Sequence, residues 1–323
     1  MKFETDKSLP QLEDVVKAYS IVRKYANRTP IHQSHSVNSI LGVSLFLKCE
    51  NFQKVGAFKF RGASNAVFGL TDEQAKHGVT THSSGNHAAA LALAASMRGI
   101  PSYIVMPANA PMIKKKAVDG YGAIITFCPP TQNDRESTQA KVQAQTGATF
   151  IHPYDNFSVI SGQGTASLEL LEDFPDLDIV IAPVGGGGLL SGTLTYVKGV
   201  NPSIKVYGAE PINADDAFRS IRDRIIYPSI SPKTIADGLL TSLCERTFAI
   251  ISSKCDGILT VSEESIIKAM RIVWERMKLI IEPSSAVPVA AIMEHPQYFV
   301  GKRVGVIISG GNVDLDSLPF SRL

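Results

Sequence analysis

Strand-like and helix-like segments alternate along most of this 323-residue chain, and the alternation predicts an α/β fold of mostly parallel, twisted sheets flanked by helices. The length is a second observation. At roughly 150 residues per domain it predicts two domains, each able to bury a core without disulfides or structural metals. The third is a run of four glycines, Gly185, Gly186, Gly187 and Gly188, set between a strand-like and a helix-like segment. Ligands in such folds sit beyond the carboxyl ends of strands, so the residues just after each strand matter most.

Taken in order, residues 88–97 read as a helix of small side chains, 102–106 as a strand, 111–118 as a helix and 123–127 as another buried strand. Residues 165–171 read as helical, 178–184 as a strand, 193–198 as a helix and 205–209 as a strand. A long amphipathic helix comes next over 263–277 and a last apolar strand over 304–308. No internal repeat or low-complexity linker marks a domain boundary.

Composition excludes several functions. With 32 basic against 30 acidic residues, the balance argues against nucleic acid as a partner, because phosphate-backbone affinity needs clustered, unbalanced cations. The one basic run, Lys114-Lys115-Lys116, reads as a solvated helix face. Cys49, Cys128, Cys244 and Cys255 lie far apart without a C-x-x-C pair, which suggests neither a zinc knuckle nor a disulfide framework. No apolar run approaches the roughly 18 residues that cross a bilayer, and the first residues lack an apolar signal core. The expectation is a cytoplasmic protein with no membrane partner.

Four motifs carry chemistry. The strand over 178–184 runs straight into the four glycines and then a helix, so bare backbone N–H groups and the positive helix end can converge on a phosphate. The alternative is a flexible turn. Neither the dinucleotide pattern nor Walker A fits the spacing. Second, Lys59 sits between Phe58 and Phe60, a setting that lowers an amine pKa as Schiff-base chemistry requires, although a lone lysine of this kind also snorkels to the surface. Beside a phosphate cup, an aldehyde cofactor carrying a phosphate is pyridoxal phosphate. Third, Ser309-Gly310-Gly311-Asn312 comes directly after the last strand and can bring a hydroxyl to a ligand. Fourth, Ser83-Ser84-Gly85-Asn86-His87 opens a helix, either as a cap or as a ligand loop. The segment from Glu210 to Asp216 offers hard oxygen atoms suited to Mg²⁺ or Ca²⁺ but reads equally as an acidic helix start.

As an ordered set, Phe58-Lys59-Phe60-Arg61-Gly62, Ser83-Ser84-Gly85-Asn86-His87, Ser161-Gly162-Gln163-Gly164-Thr165, the glycine run, Thr234-Ile235-Ala236-Asp237-Gly238 and Ser309-Gly310-Gly311-Asn312 resemble the fold-type II (tryptophan synthase β-like) pyridoxal-phosphate enzymes. Within them the chain resembles the serine racemase and serine/threonine dehydratase group, nearly end to end.

The resemblance implies a large domain of residues 1–70 and 153–323, with a small mobile domain of residues 71–152 closing over the cofactor. It implies that Lys59 binds the cofactor aldehyde, Phe58 packs on its ring, Asn86 meets its phenolic oxygen, Gly185, Gly186, Gly187, Gly188 and Leu189 hold its phosphate, and Ser309 faces its ring nitrogen. Ser83, Ser84, Asn86, His87 and Thr241 would surround an amino-acid substrate, with Lys59 and Ser84 as proton-transfer groups on opposite faces of Cα. The implied activity is interconversion of L- and D-serine with β-elimination to pyruvate and ammonia. Dehydration of threonine, serine or threo-3-hydroxyaspartate is the alternative, and a non-catalytic small-molecule sensor a remote one. The resemblance also selects a divalent cation, Mg²⁺ or else Ca²⁺ or Mn²⁺, at Glu210, the Ala214 carbonyl and Asp216, and a homodimer. Val55 and Ala89 depart from the group's nucleotide site, which counts against ATP as an activator, and Tyr154 and Thr241 depart beside the substrate.

Overall fold

Apolar β-branched runs become strands here because both of their faces are covered. The computed structural model describes residues 8–83, 85–110 and 112–322. Ten strands run in chain order: β1 (Ile31–His32), β2 (Ser44–Cys49), β3 (Val79–His82), β4 (Ser102–Pro107), β5 (Ile124–Cys128), β6 (Thr149–Phe150), β7 (Ile179–Pro183), β8 (Lys205–Pro211), β9 (Gly257–Val261) and β10 (Arg303–Ile308).

They form two sheets. The first has the order β1-β2-β10-β7-β8-β9 and is parallel apart from β1, the second has the order β5-β4-β3-β6 and is wholly parallel. The last strand of the chain therefore lies between β2 and β7, with Val306 paired to Leu47 on one side and Ile181 on the other. That order sets the carboxyl ends of β2, β10 and β7 side by side. Lys59, Ser309 and the glycine run come after those three ends. Apolar clusters cover both faces of the first sheet, and a third, built on the alanine-rich helix Asn86–Arg98, covers the second.

The structure corrects several boundaries. The segment expected as a buried strand at 123–127 is β5, an edge strand whose Ile124 and Phe127 are 54% and 53% exposed. An apolar run reads as a central strand, but only β4 pairs with it. The helix expected at 165–171 begins at Phe157 and runs to Asp173. Its two glycines disguise it, and they are there because other helices pack against them at backbone distance. The helix after the cup begins at Gly188, inside the glycine run, with Gly187 at φ +84° as its cap, a conformation glycine adopts without strain. The basic run is not simply a solvated face either, since Lys114 ion-pairs with Asp237 on the far wall of the cleft.

Candidate active site

The three strand ends and the start of the helix Asn86–Arg98 enclose a cleft of about 370 Å³. Phe58, Lys59, Ser83, Asn86, His87, Gly185, Gly186, Gly187, Gly188, Leu189, Thr241 and Ser309 all line it, so residues spread over most of the sequence meet in one cavity. Ser84 lies outside the described residues.

Lys59 opens the helix Lys59–Phe68. Its Nζ donates to the Pro153 carbonyl at 2.9 Å and stands 5.2 Å from the Phe58 ring centroid. Burial lowers its pKa to about 8, against a smaller opposing effect of the Glu282 charge. Arg61, close by on the same helix, is fully buried between Glu50 and Glu169 and so ties the start of that helix to the core. Its guanidinium bonds Glu50 at 2.7 and 2.9 Å and Glu169 at 2.9 and 2.7 Å, and Lys48 adds a 2.6 Å contact to Glu169. Two acids and two bases thus cancel inside the core, as a buried charge requires.

The glycine cup is tight. A methyl group on Gly186 would lie 2.5 Å from Tyr154 ring carbons, one on Gly187 2.8 Å from Leu243 and one on Gly188 2.9 Å from Tyr154 Cβ. These residues are glycine because neighbours occupy the space side chains would need, which leaves backbone N–H groups as the lining. Tyr154 hydrogen-bonds Thr241, and burial raises its phenol pKa to about 12.

Ser309 comes directly after β10, with its Oγ 2.9 Å from Ser285 Oγ, which in turn bonds both the carbonyl and the N–H of Gly310 at 2.7 Å. Asn86 is fixed at both ends: its Nδ2 donates to both oxygens of Glu282 at 3.1 Å, and its Oδ1 accepts from Asn312 at 2.9 Å. Burial, then the Asp237 charge, raises the Glu282 pKa to about 7, while the Asn86 hydrogen bond opposes them. His87 is buried and its pKa is well below the usual imidazole range, first from desolvation and then from Lys59, so its ring is neutral. Sequence reasoning missed Glu282, Ser285, Lys114 and Arg135 as site residues. Each is remote in sequence from the motifs that carry the chemistry, and the one local signal is that Glu282 precedes a proline-started helix, Pro283–Glu294.

The acidic segment lies apart from the cleft, at the end of β8. Glu210 accepts from the N–H groups of Ala217 and Phe218 and so anchors the start of the helix Asp216–Asp223, while Asp216 Oδ2 is buried without a hydrogen-bond partner among the described residues. Desolvation raises both carboxyl pKa values, that of Asp216 to about 6. Among the described residues, no three His, Cys, Asp or Glu side chains form a metal cluster, and no helix is long and apolar enough to cross a membrane.

A desolvated lysine facing a side-chain-free cup at a helix start fits a cofactor with an aldehyde and a phosphate. The family model described as pyridoxal-phosphate dependent enzyme matches residues 22–310. The chain belongs to this family. Among its relatives, a beta-hydroxyaspartate dehydratase of Paracoccus denitrificans is 50% identical over 97% of this chain and 99% of the relative. A serine racemase of Dictyostelium discoideum is also 50% identical, over 95% of this chain and 96% of the relative. The solved structure of maize serine racemase superposes with a TM-score of 0.93 at 43% identity, covering 98% of this chain and 97% of that one. This pyridoxal-phosphate dependent enzyme is thus of the racemase and ammonia-lyase or dehydratase kind, with the fold-type II architecture expected from its sequence.

Proposed function

We propose that this enzyme interconverts L- and D-serine and also eliminates serine to pyruvate and ammonia. The observation that carries the reading is Lys59, an amine kept near pKa 8 by burial in the same cleft as the glycine cup and the turn that starts the helix Asn86–Arg98. When bound, pyridoxal phosphate supplies the electron sink that lets a Cα–H bond ionise. The cup from Gly185 to Leu189 binds its phosphate, Phe58 packs on its ring, Asn86 meets its phenolic oxygen and Ser309, held by Ser285, meets its ring nitrogen. Ser83, Asn86, His87 and Thr241 bind the amino acid, with N–H groups at the helix start favouring its carboxylate. Lys59 Nζ moves the proton on one face of Cα, and Ser84 Oγ moves it on the other.

Further parts of the reading are a small domain over residues 71–152 that closes on the large one, a homodimer, and a divalent cation at Glu210, the Ala214 carbonyl and Asp216. The partnerless Oδ2 of Asp216 supports the cation, since two carboxylates and a carbonyl suit Mg²⁺, Ca²⁺ or Mn²⁺.

A second reading, 3-hydroxyaspartate dehydratase, is favoured by the cations Lys114 and Arg135 in the cleft wall, where a second substrate carboxylate would compete with Asp237 for Lys114. The Paracoccus relative carries that activity in its name. Product analysis with L-serine, D-serine, L-threonine and the 3-hydroxyaspartate isomers, each with Mg²⁺ and with chelator, separates the readings. D-serine formed from L-serine is the expected result. Turnover of hydroxyaspartate without any D-serine would remove the first reading in favour of the second.

A further inference from the structure

The chain from His152 to Asp155 leads from β6 into the buried helix Phe157–Asp173, and both halves of the site rest on it. The Pro153 carbonyl accepts the hydrogen bond of Lys59 Nζ at 2.9 Å. Tyr154 stands against the glycine cup, its ring 2.5 Å from where a methyl group on Gly186 would lie. Pro153 and Tyr154 line the cleft, as Lys59 does, whereas His152 is not part of the lining.

His152 holds this turn through one atom. Its Nδ1 accepts from the backbone N–H of Tyr154 at 3.3 Å and from that of Asp155 at 2.8 Å. The Tyr154 N–H and the Pro153 carbonyl belong to the same peptide group, and that peptide is trans, so its hydrogen and its oxygen point in opposite directions. One peptide plane thus connects the imidazole to the reactive amine: Nδ1 takes its hydrogen, and its oxygen takes a hydrogen of Lys59. An amide polarised at its N–H end is a better acceptor at its oxygen. Proline, with no N–H of its own and a fixed φ, leaves the turn few other conformations. The same contacts set the state of the ring. An Nδ1 that accepts from two N–H groups carries no proton, so the neutral ring is protonated at Nε2. Burial, then repulsion from His82 and Lys59, lowers its pKa to about 3, and the rings of Tyr154, His82 and Phe150 pack against it with centroids at 4.6, 5.5 and 5.8 Å.

We propose that His152 is a positioning residue, its bare Nδ1 fixing the Pro153–Tyr154 peptide so that the carbonyl aims the Lys59 amine into the cleft. The proposal rests on the reading of Lys59 as the amine that condenses with the cofactor aldehyde, releasing water. The experiment uses the cofactor-free full chain as wild type, as His152→Phe, which keeps a ring but has no acceptor, and as His152→Asn, whose Oδ1 can accept from the N–H groups that follow it. Absorbance follows the rate at which pyridoxal phosphate is captured, and equilibrium dialysis measures affinity for pyridoxine phosphate, which has an alcohol in place of the aldehyde. His152→Phe is expected to slow capture about 5- to 10-fold, the scale of one neutral hydrogen bond. It should leave pyridoxine phosphate affinity unchanged, because Tyr154 keeps its contacts with the cup and its hydrogen bond to Thr241. His152→Asn should capture at the wild-type rate. Full-speed capture by His152→Phe, capture by His152→Asn as slow as by His152→Phe, or an equal loss of pyridoxine phosphate affinity overturns the proposal and leaves His152 a packing residue. Nitrogen NMR of the wild-type imidazole is a second test that needs no variant to fold: an unprotonated Nδ1 at neutral pH is expected, and a proton on Nδ1 overturns the proposal. Wild type that binds neither pyridoxal phosphate nor pyridoxine phosphate would instead refute the reading of the site.

Discussion

Substituting Gly186 by alanine tests whether the cup is shaped by Tyr154. The added methyl group would lie 2.5 Å from Cγ and Cδ1 of that ring and 2.6 Å from Cδ2, about 1 Å inside the normal carbon–carbon separation. The ring cannot simply retreat. Its Cβ lies 2.9 Å and its Cα 3.1 Å from where a side chain on Gly188 would begin, and its hydroxyl bonds Thr241. Overpacking of this kind costs about 1–3 kcal/mol. Removing the ring in Tyr154→Ala opens a cavity, with a loss of about 3–5 kcal/mol at a fully buried site and less here, where one side borders the cleft. In the double variant the methyl group enters the space the ring has left. The two effects should therefore fail to add, with a coupling of about 1–3 kcal/mol in the stabilising direction. Urea unfolding of the four cofactor-free proteins measures the coupling. Titration with pyridoxal phosphate should show the same pattern, weak for Gly186→Ala and partly restored in the double variant. Additivity within about 0.5 kcal/mol would mean that Tyr154 does not shape the cup.

Ser84→Ala should suppress D-serine formation far more than elimination of L-serine, and equal loss of both activities would contradict proton transfer on two faces. Glu282 is held at about 7 in the fold against an ordinary 4.5, so between those values the folded state binds the proton more strongly than the unfolded chain. Its contribution to stability is present in full below pH 4.5 and is lost as pH rises to about 7. The cofactor-free protein should accordingly lose stability, relative to Glu282→Gln, by up to about 3 kcal/mol across that window. Parallel stability profiles for the two proteins would rule this out. Arg61→Met leaves Glu50 and Glu169 buried with Lys48 as their one remaining cation of the network and should cost about 3–5 kcal/mol in urea unfolding. It should also lower cofactor affinity by loosening Lys59, and a loss under about 1 kcal/mol would show that water or protonation relieves the pair.

Much of the site is legible in the sequence because its chemistry is local. A strand running into four glycines and then a helix reads as an anion-binding arrangement against the alternative of a flexible turn, and a lysine between two phenylalanines reads as a candidate depressed amine once that arrangement is beside it. The same locality explains the misreadings. Residues 157–164 do not read as helix because Gly162 and Gly164 lower helix propensity, and their reason, contact with Gly62 and Gly192, is not a local one. Strand β5 carries an apolar run that only its edge position exposes.

The sequence by itself thus determined the fold class, the family resemblance and the list of chemical groups. Tertiary structure alone decided which of them meet. The insertion of β10 between β2 and β7 joins Ser309 to Lys59 and to the cup, and it is a long-range pairing that no window of residues encodes. Burial did the rest, because desolvation sets the states of Lys59, Glu282 and His87, and a side chain's distance from water depends on how the whole chain has packed around it.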